Sequence, residues 1–309
     1  MKTMTFEEVR RQLKGGQEEA LLRKLWLAAG GEKGGEDGLA SILRDDLKIT
    51  LVDGTVKLVD STGRCIPLAT MKGEYVDANR DFHLVQPEID YAATLARLQQ
   101  FFAPEMRFVS AEEFERRSAA LIARIREDKQ VASLLKGVYL PIVLPQITVA
   151  DYGRTLEETF LAAVERAYQA QYPDRVFNNY RKGELAGQVG VVEESRHQRL
   201  IEKMAGGPVV LIHFPCPCQG FSIPADRKMI GAFPAGFILS GALDTATSLV
   251  ANTSTLALNW NTPGLDCAAN SWQSAEFSLD FKARDVKLSF GRGGLGAYGA
   301  CSAGLSFVG

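Results

Sequence analysis

The sequence predicts an α+β fold in which amphipathic helices pack on a mixed or antiparallel sheet, with antiparallel strands near the C-terminus. Apolar residues recur at helical spacing in the first two thirds of the chain, and they alternate at strand spacing near its end. The charged residues are also distributed unevenly along the chain. The last 102 residues hold six basic and six acidic side chains, although the whole chain has 35 Lys and Arg and 37 Asp and Glu.

This division of charge predicts two regions that meet at the Gly206-Gly207-Pro208 sequence. Residues 1–207 form a charged, helix-rich region, and we expect a β-hairpin at 47–60 because apolar residues alternate on both sides of Asp53-Gly54. Residues 208–309 form a charge-poor, strand-rich region. One continuous domain over both regions is the alternative.

Helix starts are indicated by three capping boxes, in which a hydroxyl residue precedes a glutamate by three positions; they begin at Thr5, Ser110 and Thr155. After Thr155, one apolar face predicts a helix that runs to about residue 170. Its members are Leu156, Phe160, Leu161, Val164 and Tyr168. Similar patterns predict helices after Ser110, at about 195–204, and at 240–258 with Ser240 or Asp244 as the cap.

Short β-branched runs at 138–149 and 209–214 predict buried strands, and the helical segments between them permit a crossover connection. Alternating apolar residues at 277–281 and 286–290 predict two strands joined by a turn at 283–285. Leu305 and Phe307 indicate a final strand.

Composition excludes several classes of partner. A net charge of −2 leaves no excess of positive charge to neutralise phosphates, so we expect no nucleic-acid binding. The longest apolar runs are too short to cross a bilayer and contain prolines, so we expect no membrane partner. Glu7 and Glu8 interrupt any secretory signal, and the five cysteines are an odd number, so we predict a cytoplasmic protein.

The densest group of chemically active residues is His213, Cys216 and Cys218, directly after a predicted buried strand. In an extended segment the two cysteines project from one face, so thiolates and an imidazole there would suit a metal ion or an activated nucleophile. These three residues are therefore the catalytic and metal-ligand candidates. Cysteines that pack as small apolar side chains are the simpler interpretation, and the sequence identifies no cofactor.

Candidate ligand-binding residues follow in the C-terminal region, where indole rings lie near carboxylates and amides. They are Asp226, Trp260, Asp266 and Trp272. Tryptophans that anchor a core or an interface are the alternative.

No Walker, Gly-x-Ser-x-Gly or His-Glu-x-x-His sequence is present, which disfavours the corresponding enzyme classes. We therefore expect a non-catalytic protein that binds a protein partner or self-associates into a homo-oligomer through its charge-poor C-terminal region. The alternative is a small-molecule-binding protein or a thiol- or metal-dependent enzyme centred on His213, Cys216 and Cys218.

Overall fold

A computed structural model of the chain shows helices packed on an eight-stranded mixed sheet, which confirms the α+β class. The structure describes residues 57–68, 74–75 and 84–309, all of which belong to one unit that begins at Val56. The helix predicted after Thr5 and most of the hairpin predicted at 47–60 lie outside the described residues.

The helical segments of the described chain are α1 (Tyr91–Phe101), α2 (Ala111–Glu127), α3 (Tyr152–Thr155), a π-helical segment (Leu156–Leu161), α4 (Ala162–Gln171), α5 (Gln198–Gly206), α6 (Ile223–Ala232), α7 (Ala242–Ala251) and α8 (Thr253–Leu256). Turns of 3₁₀ helix lie at Ala132–Lys136 and Glu193–Ser195.

The strands are β1 (Leu140–Leu144), β2 (Val176–Asn179), β3 (Val189–Val191), β4 (Val209–Gln219), β5 (Phe237–Leu239), β6 (Gly264–Asp266), β7 (Asn270–Trp272), β8 (Ser278–Arg284), β9 (Lys287–Gly293) and β10 (Cys301–Phe307). The main sheet has the order β1-β4-β10-β6-β8-β9-β2, with β5 also paired to β10. A separate two-stranded sheet joins β3 and β7.

The sheet is mixed because two of its pairs are parallel. Strand β4 pairs antiparallel with β1 and with β10, and β10 also pairs antiparallel with β5. The predicted β8–β9 hairpin is antiparallel as well. The parallel pairs are β10–β6 and β2–β9. The two strands predicted at 138–149 and 209–214 thus lie side by side in opposite directions, without a parallel crossover.

The charge-poor region forms the centre of the molecule. Strands β4 and β10 occupy the middle of the sheet and are buried along almost their whole length. Nine successive residues of α7, from Ala242 to Val250, are also buried. A helix buried on every side carries few charged residues because an unpaired charge in an apolar interior is costly.

Two helix starts show what capping requires. The Ser110 side chain accepts a hydrogen bond from the Glu113 N–H at 3.2 Å, which confirms the predicted cap of α2. The predicted cap at Thr155 is wrong, because Asp151 caps a helix that already begins at Tyr152. All five apolar residues predicted for this face are buried, since the face depends on periodicity rather than on the start.

Strand β4 is irregular where its sequence is Phe214-Pro215-Cys216-Pro217-Cys218. Phe214 pairs with Leu305 and Cys218 pairs with Ala303. An advance of four residues along β4 therefore corresponds to only two residues along β10. Proline has no N–H to donate to a ladder and occurs within sheets at such bulges. The bulge exposes part of Cys216 while Cys218 stays buried.

We predict that Gly153→Ala destabilises the fold by about 3 kcal/mol, because added volume at a packed contact cannot be relieved here. A Cβ atom at Gly153 would lie 1.8 Å from the backbone oxygen of Leu185. Gly231→Ala is the control, since Gly231 lies in α6 with no atom within 4 Å of an added Cβ, and there alanine stabilises a helix. Thermal and urea unfolding measure both changes, and equal effects would contradict the prediction.

Candidate functional site

His213, the first predicted site residue, lies in a buried polar cluster at the start of α7. Its Nδ1 is 3.1 Å from Ser306 Oγ and 3.2 Å from Ser240 Oγ. Ser306 Oγ donates to Asp244 Oδ2 at 2.6 Å, and the other oxygen of Asp244 accepts the Gly241 N–H at 2.8 Å. Asp244 is thus the residue that the sequence suggested as a cap, although the cap position itself is Gly241.

The order of these groups is unsuited to nucleophilic catalysis. Ser306 stands between His213 and Asp244, whereas a nucleophilic triad places the histidine between the other two groups. Burial lowers the pKa of His213 to about 4, partly offset by Asp244, so the ring is neutral at pH 7. His213 Nε2 has no partner in the described structure, which favours a proton on Nδ1, because a bare lone pair costs less than an unpaired N–H.

A second set of polar groups completes this cluster. The Tyr152 hydroxyl contacts His197 Nε2 at 3.2 Å and donates to Asn270 Oδ1 at 3.1 Å. The Asn270 oxygen also accepts the Ala242 N–H at 2.7 Å. His197 is fully buried, and burial lowers its pKa. We interpret the whole cluster as structural.

Cys218, the second predicted site residue, belongs to a different cluster. Its thiol is 3.4 Å from that of Cys65, and it interacts with the buried carboxyl of Asp226, another predicted site residue. Cys216 is half-buried on the bulge and joins neither histidine. The structure thus separates His213 from the cysteines that follow it and brings Cys218 to Asp226.

Asp266, predicted as a ligand residue, lies in a buried carboxylate group with Asp280. Burial and the neighbouring Asp280 raise the pKa of Asp266 to about 7. Lys282 Nζ lies 2.6 Å from Asp280 Oδ2 and neutralises one of the two charges. The negative charge of Asp266 also raises the pKa of Asp226, so these two predicted residues interact electrostatically.

The two tryptophans have different environments. Trp272 is buried in β7, and the Arg181 guanidinium lies 4.6 Å from the centre of its ring. Trp260 is 56% exposed, at the turn from Asn259 to Thr262. They do not form a common ring-binding site, and Trp260 instead contributes to an exposed apolar surface.

This surface follows the outer edge of the main sheet and is here named the β2 edge. Its exposed apolar residues are Val176 in β2, Tyr180 directly after β2, Val286 and Leu258 beside β2, and Trp260 two positions after Leu258. The Val176 N–H donates to the Val286 oxygen at 3.2 Å, and the Arg175 side chain donates to the Leu258 oxygen. Contiguous apolar residues on a protein surface are typical of interaction sites.

A groove of about 500 Å³ lies between this edge and the preceding helix. Its lining combines residues of β2 with residues of the π-helical segment and α4, among them Phe177, Asn179, Glu157 and Glu165. A π-helical turn widens a helix and is frequent at functional sites. The apolar face here was predicted correctly from the sequence, but no sequence pattern indicated the π-helical turn or the exposed edge.

Two further findings bear on function. Within residues 57–68, 74–75 and 84–309, no three His, Cys, Asp or Glu side chains are grouped so that they could hold a metal ion. In the same part of the chain, no helix combines the length and apolar character needed to cross a membrane.

No protein-family model, curated protein or solved structure matches this chain.

We predict that His213 makes stability depend on pH. Its pKa is about 4 in the folded chain and about 6.5 when unfolded, so the unfolded chain binds more protons between these values. The contribution of neutral His213 to the free energy of unfolding is therefore lost as the pH falls from about 6.5 to 4, at about 1.4 kcal/mol per pH unit.

The measurement is urea unfolding of the protein and of His213→Asn between pH 7 and pH 5. The asparagine amide N–H retains a donor near the position of the Nδ1–H group but does not titrate. We expect the free energy of unfolding of the unsubstituted chain to fall by about 2 kcal/mol more than that of the variant. Identical pH dependence of the two proteins would contradict this assignment.

Proposed function

We propose that this chain is a non-catalytic binding protein that self-associates through the β2 edge. Strand β2 itself lies outside residues 208–309, the charge-poor region through which the sequence predicted association. The observation that carries the proposal is the unpaired outer edge of β2 together with an exposed apolar surface. In the described structure β2 pairs with β9 on one side and with no strand on the other. An open edge is a template for pairing with another chain.

The backbone geometry defines which residues would pair. Val176 and Tyr180 donate their N–H groups to Val286 and Phe290 of the inner neighbour. Since alternate residues of a strand direct these groups to opposite sides, Phe177 and Asn179 direct theirs outward. In an antiparallel pair of two β2 strands, Phe177 of one copy would then lie opposite Asn179 of the other, with Asn178 on the two-fold axis.

The side chains around this axis are self-complementary. The register places exposed Val176 of one copy opposite exposed Tyr180 of the other, and the two-fold repeats this apolar contact. The turn before β2 carries Asp174, and the turn after β2 carries Lys182; both side chains are exposed. Antiparallel pairing brings Asp174 of one copy beside Lys182 of the other, so these opposite charges meet. Arg175 and Arg181 also meet, but each is engaged within its own chain, at the Leu258 oxygen and at Glu184 respectively. This complementarity is why we propose a second copy as the partner.

We predict that Val176→Lys dissociates the dimer, because it replaces both symmetric apolar contacts and adds two positive charges beside Lys182 of each copy. The dissociation constant should rise at least about tenfold. Val85→Lys is the matched control: Val85 is 82% exposed, and its neighbour Gln86 binds Tyr139, next to β1 at the opposite edge of the sheet. Sedimentation equilibrium measures both constants.

A cross-link tests the register directly. Residues on the two-fold axis of an antiparallel pair are close enough to form a disulfide, so Asn178→Cys should give a covalent dimer on mild oxidation. Lys182→Cys is the control, since it lies far from its own symmetry mate. A monomeric unsubstituted protein at high micromolar concentration, or a dimer unaffected by Val176→Lys, would overturn the proposal.

A further inference from the structure

We propose that Cys65 and Cys218 form a reversible disulfide site that reacts with low-molecular-weight disulfides, with Asp226 as the proton acceptor for Cys218. This activity is independent of the β2 edge, because Cys218 lies on β4 in the middle of the sheet.

The two thiols are already in contact. Their sulfur atoms are 3.4 Å apart, and the Cys65 N–H donates to the Pro217 oxygen at 2.8 Å, so the backbones are held side by side. A disulfide requires a sulfur separation of about 2.05 Å, which is a movement of little more than 1 Å. Both residues are free cysteines in this structure.

Cys65 lies on a segment that is well placed to make this movement. It closes a tight turn in which Asp60 Oδ1 accepts the Thr62 and Arg64 N–H groups, and Gly63 has a φ of +90°. The turn lies at the surface, where Thr62 is exposed. Cys218, by contrast, is fixed in β4 and fully buried. Cys65 is 6% exposed, whereas Cys218 has no exposed surface, so Cys65 is the thiol that an external disulfide meets first.

Asp226 provides a carboxyl group that can accept the proton of the buried Cys218 thiol. Its carboxyl group is fully buried near the start of α6, and neither oxygen has a conventional hydrogen-bond partner in the described structure. Apart from burial, the strongest influence on it is Cys218. An unpartnered buried carboxylate costs free energy unless it has a role such as proton transfer.

The ionisation of both groups favours this transfer. The contact with Cys65 and burial raise the pKa of the Cys218 thiol, so it carries its proton at pH 7. Burial and Cys218 raise the pKa of Asp226 as well, which makes its ionised form a stronger base. A stronger base accepts a proton from the thiol at a smaller cost in free energy.

The reaction balances as two thiol–disulfide exchanges. The Cys65 sulfur first attacks one sulfur of the small disulfide, forms a mixed disulfide and releases one thiol molecule, which takes the Cys65 proton. The Cys218 sulfur then attacks the Cys65 sulfur while Asp226 accepts its proton. The second small thiol leaves and takes that proton from Asp226. Two protein thiols are oxidised, and one small disulfide is reduced to two thiols.

The experiment incubates the folded protein with oxidised glutathione, alkylates the remaining thiols and maps the peptides by mass spectrometry. We expect a mass loss of about 2 Da, a cross-linked peptide that joins Cys65 to Cys218, and reversal by dithiothreitol. Cys218→Ser should stop the reaction at the glutathione adduct of Cys65. Cys267→Ser, at another buried cysteine, should leave the cross-link unchanged.

The role of Asp226 is tested by Asp226→Asn, which keeps the shape of the protonated carboxyl group. The second exchange should slow by about 100-fold, and its rate should no longer rise with pH as a carboxyl group ionises. Asp280→Asn, at a buried carboxyl group that pairs with Lys282, is the control and should change the rate less than twofold.

Four results would overturn the proposal: no reaction of the folded protein with oxidised glutathione, a persistent glutathione adduct in the unsubstituted chain, a cross-link to Cys216 instead of Cys218, or equal rates for the two aspartate variants.

Discussion

The start of α7 is the constraint on which the rest of this structure depends. A helix that begins inside the core exposes N–H groups that no earlier turn can accept, and each such buried group costs about 1–3 kcal/mol if it stays unpaired. Here two acceptors come from distant parts of the chain, Asn270 for Ala242 and Tyr152 for Leu243. The third, Asp244 for Gly241, lies in the first turn of α7 itself. These bonds join α3, α7 and β7 at one point. The close approach leaves no room for a side chain at position 241, where an added Cβ would lie 2.8 Å from Asn270 and His197.

This constraint also explains where function is proposed. The polar groups that resemble a catalytic set, His213, Ser306 and Asp244, are engaged in holding the core and are almost fully buried. Polar groups that lack a hydrogen-bond partner in the described structure lie elsewhere. The outer edge of β2 has unpaired backbone groups, and Asp226 has unpaired oxygens beside a thiol pair. The two sites use different elements, so association and thiol chemistry are separable properties of one fold.

Sequence patterns succeeded where the interaction is local or periodic. The apolar face from Leu156 to Tyr168, the cap at Ser110 and the paired strands β8 and β9 follow from residues a few positions apart. The candidate site was only partly accessible to this reasoning. Cys218 and Asp226 were both candidate residues, although in separate groups, but Cys65 lies 153 residues from Cys218 along the chain and received no role. The histidine beside the cysteines in sequence is on the other side of a proline bulge, and it faces a different cluster.

The sequence by itself determined the fold class and several elements, among them α2, the apolar face from Leu156 to Tyr168 and the β8–β9 pair, because side-chain periodicity acts over short distances. Only the tertiary structure decided the order of the strands, the burial of His197 and the meeting of Cys65, Cys218 and Asp226. Those outcomes depend on how the sheet closes around α7, and a buried polar group selects its partner from whatever residues the fold brings within about 3 Å. Such contacts leave no periodic trace in the sequence.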